Sequence, residues 1–112
     1  MREEDRLQKD IVKAARQLGF LVIRIKNEGK RTPKQTSHDK SMGMHVGCSD
    51  LVCISKKGLA TFMEIKSAKG VLSKAQTEFG HAVGSLGFTY WVVRSYDEAI
   101  RYLRILEQED AA

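Results

Sequence analysis

This 112-residue chain holds a single proline, only two cysteines and no apolar run long enough to span a membrane. Its opening residues, Met1-Arg2-Glu3-Glu4-Asp5-Arg6, are charged and lack the apolar stretch of a secretory signal, so an intracellular location is the expectation. Two cysteines in such a chain argue against a disulfide. Cys48 and Cys53, with His38 and His45, match no C-x-x-C or H-x-x-x-H zinc spacing, and Cys53 falls in an apolar run where a buried thiol is expected. His81 belongs to a helical segment and reads as a surface or packing residue, while His45 stands just ahead of a glycine turn from which it could approach a ligand. Repeats and low-complexity tracts are missing too, and the length fits one domain over residues 1–112.

What the chain does have is positive charge, with 19 basic against 14 acidic residues and a net charge of +5. This balance favours a polyanionic partner. The excess is concentrated between residues 24 and 40, where Arg24, Lys26, Lys30, Arg31, Lys34 and Lys40 face only Glu28 and Asp39. With Asn27, Gly29 and Pro33, and without apolar periodicity, the segment reads as a long basic loop suited to phosphate-backbone contact.

Around it the hydrophobic pattern predicts an α/β order. Leu7, Ile11, Ala14, Ala15 and Leu18 recur at helical spacing from about residue 3, and Gly19 is placed to end that helix. Phe20–Ile25 reads as a largely buried strand. Ser73-x-x-Gln76 opens a second helix that Gly87 ends, Phe88–Arg94 reads as a strand, and Ser95-x-x-Glu98 opens a last helix carrying Ile100, Leu103 and Leu106. The crossover between residues 66 and 88 implies a parallel pair within a mixed sheet flanked by helices.

The chemistry lies in the middle of the chain. Gly47–Ile54 reads as a short apolar strand entered through Asp50, Lys56-Lys57-Gly58 turns the chain, and Leu59–Lys66 forms a second strand. An antiparallel hairpin about that turn sets Asp50 opposite Glu64-Ile65-Lys66. Alternation puts Glu64 and Lys66 on one face. Two carboxylates and an ammonium at one end of a hairpin match what Mg²⁺-assisted phosphodiester hydrolysis needs: acidic oxygens for the cation and a lysine to orient water or steady charge on the phosphate. Charges at strand ends are also often solvated, and D-x13-E-x-K alone is a loose pattern.

Taken together, these residues resemble the PD-(D/E)XK nuclease superfamily, and more closely its VRR-NUC (virus-type replication-repair nuclease) domain. The matching positions are Glu4-x-x-x-Gln8, Arg24…Asn27…Gly29, Gly47-x-x-Asp50-Leu51 and Glu64-Ile65-Lys66. They continue through Gly70-x-Leu72-Ser73-x-x-Gln76 and Gly87-x-x-Tyr90 to Arg94-Ser95, spanning about residues 4–103. The resemblance implies a restriction-endonuclease-like αβββαβ core with an added C-terminal helix. It also implies a DNA endonuclease loaded with Mg²⁺ or Mn²⁺ and leaving 5′-phosphate ends. Asp50, Glu64 and the Ile65 carbonyl would hold the metal, and Lys66 would be the catalytic lysine. Gln76 would support the lysine or water, although a glutamine there can also simply cap its own helix. Glu4 would complete the acidic site, with Glu3 and Asp5 on either side of it. The signature proline is replaced by Ser49.

DNA contacts are then expected from Arg24, Lys26, Asn27, Lys30, Arg31 and Lys34. Stand-alone domains of this kind resemble Holliday-junction resolvases, which implies a homodimer acting on branched DNA in the cytoplasm of a bacterium or phage-infected cell. Its interface would use the last helix or the 27–46 loop. A less selective DNase, or a non-catalytic nucleic-acid binder on the same fold, are the alternatives. The retained carboxylates disfavour the binder, since bare acids repel phosphate.

Overall fold

The computed structural model describes residues 2–25, 32–43 and 45–111, apart from the side chains of Thr36, Asp110 and Ala111. The elements run α1 (Glu3–Gln17), β1 (Leu21–Arg24), α2 (Pro33–Ser41), β2 (Leu51–Ile54), β3 (Ala60–Ile65), α3 (Lys74–Ser85), β4 (Thr89–Val93) and α4 (Tyr96–Ala111). The strands form one sheet in the order β1-β2-β3-β4. The β1–β2 and β2–β3 pairs are antiparallel and β3–β4 is parallel, as the long crossover through α3 requires. The fold is therefore α/β, a mixed sheet flanked by helices.

One face of the sheet carries the core. Ile11 and Ala15 of α1, with Ala99, Leu103 and Leu106 of α4, close over Val22, Leu51, Cys53, Met63, Ile65 and Val93. Ile11, Leu51, Met63 and Leu103 are fully buried, each contributing roughly 1.5–3 kcal/mol of transfer free energy. On the opposite face α3 covers only β3 and β4, where Phe79 meets the edges of Phe62 and Tyr90 at 5.8 and 6.0 Å between ring centres.

Three expectations change. The basic segment, expected to be a loop, is helical over Pro33–Ser41. Thr32 caps it, its Oγ1 accepting from the Gln35 N–H at 3.1 Å while Gln35 Oε1 accepts from the Thr32 N–H at 2.9 Å. Pro33 sits where the missing N–H costs nothing. Second, β1 is less buried than expected, with Leu21 60% and Ile23 44% exposed. Only Val22 of the strand turns to the core; its neighbours face the side that α3 leaves open. Third, the Ser95-x-x-Glu98 capping box is shifted by one residue. Ser95 Oγ accepts from the Glu98 N–H at 3.2 Å, but the Glu98 carboxylate reaches the Arg94 N–H at 2.7 Å.

The loop leading to Asp50 is pressed onto the first turn of α3. Gly47 has φ +84°, and a Cβ there would lie 2.4 Å from the Ala75 carbonyl group. Gly84, in the last turn of α3, faces open space and has an ordinary helical backbone. Gly47→Ala should therefore destabilise the protein by about 1–3 kcal/mol, whereas Gly84→Ala should stabilise it by about 0.5–1 kcal/mol. Urea denaturation of the two variants checks this, and a neutral Gly47→Ala would contradict the close approach.

Candidate active site

The hairpin register sets the site. Leu51 pairs with Met63, so one step further Asp50 comes opposite Glu64. The turn that fixes this register is closed by the Ser55 N–H donating to the Leu59 carbonyl at 2.8 Å and the Gly58 N–H donating to the Ser55 carbonyl at 3.0 Å. At the other end, Asp50 Oδ2 accepts from the Ile65 N–H at 2.7 Å. One carboxylate oxygen of Asp50 thus finishes the ladder where the strands part.

Glu64 is buried, 3% exposed, in an otherwise apolar strand. Its Oε2 accepts from Gln76 Nε2 at 3.2 Å, while its Oε1 has no hydrogen-bond partner. Among the described residues only one other buried side-chain atom is left unpartnered, the Tyr90 hydroxyl oxygen, two positions along the same face from Glu64 across the β3–β4 pair. Unmet hydrogen bonds are rare in folded interiors, and here both fall in one place. Burial, then a side-chain hydrogen bond with Asp50 and the like charge of its carboxylate, pushes Glu64 up to about 8, against a partial pull the other way from Lys66. Glu4 adds a weaker like charge. Tyr90 is pushed up to about 12, first by burial and then by the Glu64 and Asp50 carboxylates.

Gln76 caps its own helix, and its side chain also reaches Glu64 rather than Lys66. Its Oε1 accepts from the Ser73 N–H at 2.8 Å, completing the capping box with Ser73 Oγ, which accepts from the Gln76 N–H at 3.1 Å. With its oxygen held by the cap, the amide can turn only its NH₂ toward Glu64. Lys66 is half-buried, and its N–H donates to the Val93 carbonyl at 3.0 Å, carrying the β3–β4 pairing past Ile65. Arg94 then pins the segment after Lys66, donating through one guanidinium nitrogen to the Ser67 and Gly70 carbonyls at 2.8 and 2.6 Å.

The structure thus brings Asp50, Glu64, Lys66 and Gln76 together around the end of β3. Glu4 is half-buried while Glu3 and Asp5 are exposed, so of the three acids it is Glu4 that faces the sheet. No group of three Asp, Glu, His or Cys side chains converges as a metal cage among the described residues. The donor set is two carboxylates, with the Ile65 carbonyl as a further oxygen. It fits a hard divalent cation that keeps part of its water shell. The unpartnered Glu64 Oε1 and the proton-holding acid pair are what such a cation would satisfy.

Of the expected DNA contacts, Arg24 ends β1 and Lys34 is exposed on α2; Lys26, Asn27, Lys30 and Arg31 lie outside the described residues. His45 is exposed, its Nδ1 2.9 Å from the Val46 carbonyl oxygen and its ring edge-on to Phe79. Burial raises the Cys53 thiol to about 12, which makes it unreactive. Sequence reasoning gave no role to Tyr90 or Arg94. A tyrosine in an apolar strand gives no sign that its hydroxyl lacks a partner, and an arginine after a strand gives none that it holds a loop.

Glu64 predicts a pH signature. In the unfolded chain its carboxyl ionises near 4.5, in the fold near about 8. Below pH 4.5 both states hold the proton. Between the two values only the unfolded chain gives it up, so the stability this residue contributes falls as pH rises and is gone above about 8. Glu64→Gln should match wild type at pH 4.5 in EDTA and exceed it at pH 9 by about 1 kcal/mol or more, a Tm rise of roughly 4 °C. Calorimetry reads this, and equal melting at pH 9 would refute the buried-acid assignment.

No family profile matches the chain, and no curated protein matches it in sequence. Solved structures do. One described as a "VRR_NUC domain" superposes with a TM-score of 0.70 at 22% identity, covering 93% of this chain and 97% of that one. Another, a "VRR_NUC domain protein", gives 0.63 at 20% identity over 96% and 88% of the two chains. At such identities the likeness is one of architecture. Through nearly its whole length, the chain has the restriction-endonuclease-like fold of a VRR-NUC domain.

Proposed function

We propose that this protein is a metal-dependent, structure-selective DNA endonuclease acting on branched DNA in the manner of a Holliday-junction resolvase. The observation that carries the reading is Glu64, a buried carboxylate with one oxygen unpartnered and Asp50 beside it. A protein that only bound DNA would be weakened by two such acids, because they repel phosphate unless a cation intervenes. The fold shared with VRR-NUC structures supports the same reading.

Asp50, Glu64 and the Ile65 carbonyl would hold Mg²⁺ or Mn²⁺. Bound there, the ion would lower the pKa of a water and neutralise charge on the scissile phosphate. Asp50 offers its second oxygen, since the first is engaged by the Ile65 N–H. Gln76 fixes the Glu64 carboxylate from the helix side. Lys66, held by its backbone bond to β4 and by the loop that Arg94 ties down, orients the attacking water or steadies the negative charge that develops on the phosphate. Glu4 adds negative field from α1.

A two-fold homodimer would present two such sites to a junction of near two-fold symmetry. Equilibrium sedimentation at micromolar concentration should give twice the chain mass; a strict monomer would remove the paired-nick form of the proposal. Activity is tested with four-way junction, flap, duplex and single-stranded DNA in Mg²⁺ or EDTA. Wild type should cut the branched substrates only with the metal. Lys66→Ala and Asp50→Ala should lose roughly 10²–10³-fold or more of the rate while still shifting labelled DNA in a gel. If Lys66→Ala cuts as fast as wild type, the role given to this lysine is wrong.

A further inference from the structure

Away from the carboxylates, a groove of about 890 Å³ runs between the outer flank of α1 and the end of β1. Lys9, Lys13 and Arg16 line it from α1, with Gln8 and Gln17 on either flank of that stripe, and Arg24 lines it from β1. Asp5 is the only acid among its described lining residues. We propose that this groove seats a duplex arm of the DNA substrate, gripping it through backbone phosphates. The proposal rests on the nuclease reading for taking DNA as the partner.

Helical geometry forms the cationic wall. Lys9, Lys13 and Arg16 fall at i, i+4 and i+7, one exposed stripe of α1 on the side turned away from the buried Ile11 and Ala15. Successive charges stand about 6 and about 4.5 Å apart along the axis. Neither Lys74–Glu78 nor Arg104–Glu107, two ion pairs among the described residues, involves a groove cation. Four exposed cations along one groove make a site for a polyanion.

The groove approaches the candidate site at its Arg24 end. Arg24 is the cross-strand partner of Leu51, next to Asp50, and the Ile25 N–H donates to the Asp50 carbonyl at 2.9 Å. From Glu4 to Arg16 the helix rises about 18 Å, roughly half a turn of duplex. A strand lying in the groove would therefore run toward the acid pair.

The lining favours duplex over single-stranded DNA. Single-strand binders stack bases on aromatic rings, and none is among the described residues lining this groove; Val12 and the aliphatic stems of the basic residues supply its apolar surface. Contacts of this kind position a substrate without reading its sequence.

The test is binding of the full-length protein to a fluorescein-labelled 24-base-pair duplex, and to the matching single strand, in EDTA across a salt series. Lys13→Gln/Arg16→Gln should weaken duplex binding roughly tenfold and flatten the slope of log affinity against log salt by about 2. Lys56→Gln/Arg104→Gln removes the same charge elsewhere and should leave the slope near wild type. Lys9→Gln/Arg24→Gln serves as a second groove pair, and circular dichroism reports folding for each variant. If both groove pairs bind duplex with the slope and affinity of the control pair, the groove assignment is overturned. If they lose single-strand binding but keep duplex binding, the named occupant is wrong and the proposal falls. Cleavage by wild type is scored separately. A chain that cuts normally with unchanged groove variants sinks only the groove. A chain that never cuts, yet loses duplex binding in those variants, sinks the nuclease reading and leaves the groove standing.

Discussion

The hydrogen bond from the Ile65 N–H to Asp50 is the constraint on which the site depends. It joins the start of β2 to the end of β3 at 2.7 Å, after the antiparallel ladder has run out and before the parallel one to β4 is complete. One carboxylate is thereby spent partly on architecture, and its second oxygen is left to face Glu64. Ser49 prepares this arrangement. It is fully buried, and its Oγ donates to the Leu51 carbonyl at 3.1 Å, a local bond that shapes the backbone where a proline would have fixed φ.

Glu64 opposes stability at neutral pH, because a buried acid beside another acid keeps its proton at the expense of folding above its ordinary ionisation range. Large opposing contributions elsewhere hold it in place: the Leu51, Met63 and Ile65 core beneath the strand and the aromatic contacts of Phe62, Phe79 and Tyr90 above it. Gln76 links the acid to the helix that covers it, since the amide that caps α3 also touches Glu64. Disturbing the start of α3 therefore disturbs the carboxylate pair, and the tight seat of Gly47 against Ala75 ties the same helix turn to the loop that delivers Asp50.

Much of this was legible from residue types and spacing. The apolar period of Leu7, Ile11, Ala15 and Leu18 required a helix with one buried face, and the Lys56-Lys57-Gly58 turn required the register that opposes Asp50 and Glu64. The distance between β3 and β4 in sequence required their parallel pairing. Helix α2 was hidden because it has no apolar stripe, and periodicity finds only helices that bury a face; its Thr32-Pro33-Lys34-Gln35 start carried the signal instead. The exposure of Leu21 and Ile23 depends on how far α3 extends across the sheet, which local pattern does not encode. That Glu4 is the half-buried one of the three neighbouring acids depends on the rotation of α1 against the sheet. Arg94 acts through the Ser67 and Gly70 carbonyls, distant in sequence, and the unmet Tyr90 hydroxyl shows only in the fold.

Strand β1 has one further consequence. It is one of the two edge strands of the sheet, four residues long, with two large aliphatic side chains turned to solvent. An outer strand with apolar decoration is a template on which another extended segment can add by backbone pairing. Its brevity and the cationic Arg24 at its end limit that reaction. A lysine in place of Leu21 would blunt that template further without touching the carboxylates.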